Sequence, residues 1–225
     1  MADPVSASIQ DYAKAVYVLE TREGEAVSTN ELAERLGVTA GSVSAMVRKL
    51  SELGVVEHER YRGVRLTDHG RQVALEVLRH HRLIELFLAE ELGMSWDRVH
   101  AEAEVLEHVL SEELEQLIAT RLGNPTVDPH GDPIPTPAFE IEEGNTRSLD
   151  QLQPGVIGRF VRVSDSDPAM LRYLAAQGIA LGDRLEVVGH QPFGGPVFAR
   201  FGEHELALGG ELARAMRIEV EESGR

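Results

Sequence analysis

Apolar Ile9, Tyr12, Val16 and Leu19 recur at helical spacing, and Arg22-Glu23-Gly24 closes the run, which predicts a helix opened by Ser8. Ser28-Thr-Asn-Glu31 has capping-box spacing and leads into Leu32, Ala33 and Leu36, with Gly37 as the stop. After a short turn, Thr39 opens a second helix that carries Val43, Met46, Val47, Leu50 and Leu53 on one face and stops at Gly54. Two short helices joined by a tight glycine-containing turn form a helix-turn-helix. Val55 to Leu66 then alternates on both sides of Tyr61-Arg62-Gly63, the pattern of a β-hairpin, so the first part of the chain reads as a winged helix.

Thr67-Asp-His-Gly-Arg71 caps a long helix, roughly 71–92, with Val77, Leu78, Leu83, Ile84, Leu86, Phe87 and Leu88 apolar. That is more apolar surface than one helix of a small domain needs, and it points to a second subunit. A further helix begins at Trp96 and Val99 and runs to about Leu122. Five prolines between Pro125 and Pro137 exclude helix from 123–137, which reads as an ordered loop or linker. From Leu149 the pattern becomes β: 158–163, 184–188, 197–201, 205–208 and 216–220, interrupted by one helix with Asp167 at its cap and Pro168 at N1. These segments predict a small five-stranded barrel of SH3-like kind. The fold class is therefore mainly α with a small β domain, divided as 1–73, 74–143 and 144–225.

Candidate chemistry gathers in the middle. On a helix, His100, Glu104, Glu107 and His108 fall within roughly a 100° arc, a chelating face at the edge of a packed apolar stripe. His81 and Glu85 stand at i, i+4, a spacing that lets both reach one cation and that also suits a surface hydrogen bond. Asp128 and His130 flank Pro129, where an extended chain can present both; a polar linker is the alternative. Asp11 has a capping-box relation to Ser8, and Asp167 that of an N-cap, so structural roles compete with ligand roles at both. Asp165 also lies at the entrance to the helix after 158–163.

The net charge is −16, and it is uneven: −2 over 1–73, −11 over 74–147 and −3 over 148–225. The acid block is either a solvated helix face or a divalent-cation site whose ion relieves the repulsion. The absence of cysteine excludes thiolate ligands and suits a cytoplasmic protein, and no run is long and apolar enough for a membrane span. On the second helix of the helix-turn-helix, the start Thr39, Ala40, Gly41 and Ser42 and the outward Ser44, Ala45, Arg48 and Lys49 suit entry into a DNA groove. Arg60, Arg62 and Arg65 at the wing suit phosphate contacts. A winged helix used for protein contacts is the alternative.

The order of parts, with His81-Arg-Leu-Ile-Glu85, His100-x-x-x-Glu104-x-x-Glu107-His108 and Gly123-Asn-Pro…Asp128-Pro-His130-Gly-Asp-Pro-Ile-Pro, resembles the DtxR/MntR family of metal-dependent transcriptional repressors over nearly the whole chain. The resemblance implies a winged-helix DNA-binding domain, a helical metal-binding and dimerisation domain, and an SH3-like (FeoA-like) domain. It implies two metal sites per subunit. One comprises Asp11, Glu104, Glu107 and His108; the other comprises His81, Glu85 and His100, with Asp128, His130 and Asp165 or Asp167. Iron sensors of the family place sulfur ligands where Asp11 and Glu104 stand, so the resemblance favours Mn²⁺, with Fe²⁺ as the alternative. Lys14 stands where short manganese sensors have a glutamate ligand, which favours separate sites over paired ions. The implied partners are a second copy of the chain and double-stranded palindromic operator DNA, without membrane or small organic ligand. A metallohydrolase is the distant alternative to a non-enzymatic regulator.

Overall fold

The computed structural model describes residues 6–59 and 62–221. The chain divides into two compact units: Met1–His81 with Glu104–Glu115 and Pro135–Glu140, and Arg82–Ala103 with Gln116–Ile134 and Ile141–Arg225.

The first unit contains α1 (Ala7–Glu23), α2 (Thr29–Leu36), α3 (Ala40–Glu52), β1 (Val56–Glu59), β2 (Gly63–Leu66) and the beginning of α4 (Asp68–Glu90). Both caps of the helix-turn-helix are made as their sequences predict. Ser28 Oγ accepts from Glu31 N while Glu31 accepts from Ser28 N, and Thr39 Oγ1 accepts from Ser42 N. The antiparallel wing pairs Val56 with Leu66 through Glu59 with Gly63, and Val27 adds a bridge to Val64. Inward-facing Val16, Leu32, Val43, Val47, Leu50 and Val64 are buried, as the periodicity requires. The N-cap of α1 is Ser6 rather than Ser8. Asp11 therefore sits in the second turn, where it has no capping task.

Two helices replace the single one expected from Val99 to Leu122: α5 (Val99–Leu106) and α6 (Glu112–Arg121). Ser111 begins α6, its Oγ accepting from Leu114 N at 3.3 Å, with Glu112, Glu113 and Glu115 in the first turn. Glu107 and His108 consequently lie in the intervening turn and do not continue the helical arc of His100 and Glu104.

The second unit carries an antiparallel sheet of β3 (Thr146–Ser148), β4 (Ile157–Val163), β5 (Arg184–His190), β6 (Val197–Phe201), β7 (His204–Leu208) and β8 (Met216–Val220), in the order β3-β8-β4-β5-β6-β7. Helices α7 (Pro168–Ala176) and α8 (Gly210–Ala215) connect β4 to β5 and β7 to β8. Phe160, Leu171, Leu174, Leu185, Met216 and Ile218 form the centre of its core.

The five-stranded SH3-like barrel is not what forms. The sheet has six strands and is open, with β3 and β7 as its edges. Closure needs a ladder between the two edge strands, and among the described residues β3 and β7 do not pair. β3 has only three residues and passes directly into a 3₁₀ turn, Leu149–Gln151. Ser148 Oγ there turns to the carbonyls of Ala213 and Arg214 on α8.

Residues 123–137 contain no helix or named strand, in keeping with their prolines; Val127 and Pro133 form an isolated bridge. Among the described residues no helix is long and apolar enough to cross a membrane.

Candidate metal centre

In the first unit, α1 brings Asp11 to the turn that follows α5. Asp11 Oδ1 lies 3.0 Å from His108 Nε2, and Glu107 Oε1 lies 3.5 Å from the same nitrogen. His108 Nδ1 faces Gln10 Oε1 at 2.7 Å. Gln10 Oε1 accepts from Nδ1–H, which leaves Nε2 to face the Asp11 and Glu107 carboxylate oxygens. Asp11, Glu107 and His108 offer ligand atoms all within 4.8 Å of one another, as do His81, Glu104 and Glu107.

Glu107 is the centre of this cluster and its side chain is fully buried. Its Oε1 accepts from Lys14 Nζ at 2.5 Å, its Oε2 meets His81 Nδ1 in a short contact, and its backbone carbonyl faces His80 Nδ1 at 3.1 Å. Lys14 Nζ also donates to Glu104 Oε1 at 2.8 Å. Arg79 Nε and His80 Nε2 both engage Glu115, and Arg79 Nη1 donates to Pro135 O. Burial raises the Asp11 carboxyl above its ordinary range, against the pull of His108 and Lys14.

In the second unit, the loop of 123–137 and the end of β4 assemble a second cluster. Asp128 Oδ1 accepts from His130 N and Asp132 N, which folds the loop tightly around its own carboxylate. Gly131 has φ 84°, and a Cβ there would lie 1.9 Å from Val161 O, so a glycine is required for the loop to lie against β4. Val163 N donates to His130 O at 2.9 Å from the same strand. His130 Nε2 donates to Trp96 O at 2.7 Å, and the Trp96 indole stacks on the imidazole. This fixes the tautomer and leaves the lone pair on Nδ1, which is buried without a hydrogen-bond partner among the described residues and lies 3.9 Å from Glu85 Oε2. Glu85, Asp128 and His130, all buried, place ligand atoms within 4.8 Å of one another.

His100 adjoins this group, with Nδ1 at 3.3 Å from Glu85 Oε1 and 2.8 Å from Asp165 Oδ2. Hydrogen bonds to Asp165 and then to Glu85 push its pKa up to about 10. Burial raises Asp128 well above the carboxylate range, reinforced by Asp132 and Glu85 and opposed by Arg82. Asp167 stands apart: it is exposed and caps α7 by accepting from Ala169 N at 2.8 Å. Both clusters suit a hard divalent cation by donor type: carboxylate oxygens and imidazole nitrogens, with no sulfur.

Thr39, Ala40, Gly41, Ser42, Ser44, Ala45, Arg48 and Lys49 are all exposed on α3 or at its start, and so are Arg62 and Arg65 on the wing. Arg60 lies outside the described residues.

Several supporting residues are absent from the sequence reading. Gln10 orients His108, Trp96 orients His130, and buried Arg79 and His80 form a network with half-buried Glu115 behind Glu107. Gln10 had one signal, adjacency to Asp11. The others depend on tertiary contacts that no spacing encodes.

Three family descriptions match consecutive parts of the chain. They are "Iron dependent repressor, N-terminal DNA binding domain" over residues 5–64, "Iron dependent repressor, metal binding and dimerisation domain" over 67–136, and "FeoA domain" over 147–221. The chain is 31% identical over 220 residues to the iron-dependent repressor IdeR of Mycobacterium tuberculosis, covering 92% of this chain and 95% of that protein. It is 30% identical over 219 residues to the diphtheria toxin repressor of Corynebacterium glutamicum, covering 92% and 94%. Among solved structures, it is similar to one described as a manganese-dependent transcriptional repressor in complex with manganese, with 42% identity, a TM-score of 0.90 and coverage of 95% of this chain and 100% of that one. The structure of the manganese regulator SloR has 31% identity, a TM-score of 0.79 and coverage of 95% and 98%.

Proposed function

Since the chain belongs to the DtxR/MntR superfamily of metal-dependent repressors with a FeoA-like C-terminal domain, we propose that it is a manganese-responsive repressor of metal-uptake genes that binds a palindromic operator as a homodimer. The superfamily is one of DNA-binding transcriptional regulators and not of enzymes, so the metallohydrolase reading falls away. The proposed division is a winged helix over 1–73, a metal-binding and dimerisation domain over 74–143, and a FeoA-like domain over 144–225.

The observation that carries the metal reading is the convergence of Asp11, Glu107 and His108, whose ligand atoms all lie within 4.8 Å of one another. Asp11, Glu104, Glu107 and His108 hold one ion. Glu85, Asp128 and His130 hold a second, with His100 and Asp165 beside them and His81 assigned with them from the sequence. Asp165, rather than Asp167, is the acidic residue we assign there, because Asp167 is engaged as a cap. A bound divalent ion supplies the positive charge that offsets the repulsion among these carboxylates. Asp11 then ties α1, and with it the helix-turn-helix, to the turn after α5. The winged helices of a dimer are thereby set for successive major-groove faces, about one helical turn apart.

On the DNA side, Thr39, Ala40, Ser42, Ser44, Arg48 and Lys49 enter the groove, while Arg60 and Arg62 contact phosphates. Val105, Val109 and Leu114, 69%, 76% and 48% exposed, supply apolar surface for dimerisation.

Manganese is favoured over iron by donor type, since sulfur is absent from both clusters and Asp11 and Glu104 provide hard oxygens. The Fe²⁺ reading rests on the names of the curated relatives. The deciding test is operator binding to genomic fragments at buffered free Mn²⁺ and, anaerobically, buffered Fe²⁺. The manganese reading expects selective DNA retention at the lower free Mn²⁺. Equal or stronger activation by Fe²⁺ overturns it.

A further inference from the structure

The ammonium of Lys14 lies inside the first cluster. It stands one turn after Asp11 on α1, its side chain is 11% exposed, and its Nζ contacts Glu104 Oε1 at 2.8 Å and Glu107 Oε1 at 2.5 Å. Glu107 Oε1 is also the oxygen that lies 3.5 Å from His108 Nε2. The atom best placed to join Asp11 and His108 around a cation is thus the one that Lys14 already holds. The other oxygen of Glu107 is engaged by His81, so the carboxylate cannot turn to present a fresh atom without breaking that contact.

We propose that Lys14 is a resident cation of this cluster, which a divalent ion must outcompete, and that it sets the metal concentration at which the protein fills. The inference rests on the assignment of Asp11, Glu104, Glu107 and His108 as ligands. Charge gives it a direction. Asp11, Glu104 and Glu107 with Lys14 carry a net charge of −2 when ionised, which one divalent ion neutralises and a second reverses. Lys14 therefore weakens binding of the first ion and opposes pairing with another. It also holds the metal-free carboxylates together, so that the empty protein is not forced apart by their repulsion.

The test is direct Mn²⁺ titration of the full chain without DNA, with the thermal midpoint of the metal-free protein as a second reading. Lys14→Met should tighten Mn²⁺ binding at this cluster by at least about tenfold, because a unit charge a few ångströms from a divalent ion costs that much even when water screens it. It should also lower the metal-free midpoint. Lys14→Gln, which retains a donor to the carboxylates, should tighten binding in the same direction, and it serves if Lys14→Met does not fold. Lys14→Arg keeps the charge and should stay near the wild-type affinity. Unchanged or weaker binding in the neutral variants overturns the proposal. Glu107→Gln separates the two levels of inference. If it leaves the isotherm unaltered, the ligand assignment itself fails. If it removes one class of bound ion while the neutral Lys14 variants shift nothing, only the role of Lys14 fails.

Discussion

Asp11 Oδ1 lies 3.0 Å from Nε2 of His108, and the other nitrogen of that ring is held by Gln10, the residue before Asp11. Two consecutive residues of α1 thus address the two ring nitrogens of one imidazole, so the first helix and the turn after α5 are matched to each other. Glu104 completes the cluster through Lys14 and is its most accessible member, with 41% of its side chain exposed.

Glu104→Ala is expected to abolish Mn²⁺-dependent operator binding, lowering affinity about 5–150-fold to the metal-free level, the range of an effector's coupling energy. The dimer should persist. Gel-shift titration with and without Mn²⁺, alongside sedimentation, checks both; retained metal dependence counts against Glu104 as a ligand.

The pH dependence of the metal-free protein should carry the mark of His100. Its pKa is raised from 6.5 to about 10 in the fold, so the stability it contributes is fully present below 6.5 and lost as the pH rises towards 10. The thermal midpoint should fall over that interval, and His100→Gln should flatten the fall. Asp165→Asn should lower the His100 pKa, read from the pH dependence of its ring proton resonances. A resonance that titrates as in wild type would remove Asp165 as the main cause.

Gly131→Ala tests the seating of the loop. An added Cβ meets Val161 O at 1.9 Å on a backbone of φ 84°, and such strain costs about 1–3 kcal/mol. Chemical denaturation should register this loss, and Mn²⁺ titration should show weakened binding at the cluster of Glu85, Asp128 and His130. Wild-type values for both would mean that the loop does not depend on this contact.

Arg48→Ala should weaken operator binding and, if the guanidinium meets a phosphate, reduce the slope of log K against log salt by about 1. If instead it reads a base edge, the slope stays and discrimination at one operator position relaxes. Binding unchanged in both respects would take Arg48 out of the interface.

The winged helix was legible because its signals are local. Ser28, Glu31, Thr39 and the alternation of 55–66 each act within a few residues, and their hydrogen bonds form as their spacing implies. The five β segments read from alternation also correspond to strands. β3 escaped because three residues are too short to show a period. Open or closed is a question of which edges meet, which alternation does not encode. The break before α6 was obscured by apolar residues on both sides of it, although Ser111 and its acidic first turn were there to mark it. The candidate ligand types were legible as residues, but the end of α5 at Leu106, which puts Glu107 and His108 in a turn, was not.

The strand order has a bearing on how the protein is made. β8 lies between β3 and β4, so β4 lacks one neighbour until residues 216–220 have been synthesised. Asp165 follows β4 by two residues, and Val163 anchors the His130 loop to that strand. During translation, the His130 loop and Asp165 therefore have no finished sheet to rest on until β8 is inserted. A chain arrested before that point would carry the whole winged-helix segment while β4 still lacked its β8 neighbour.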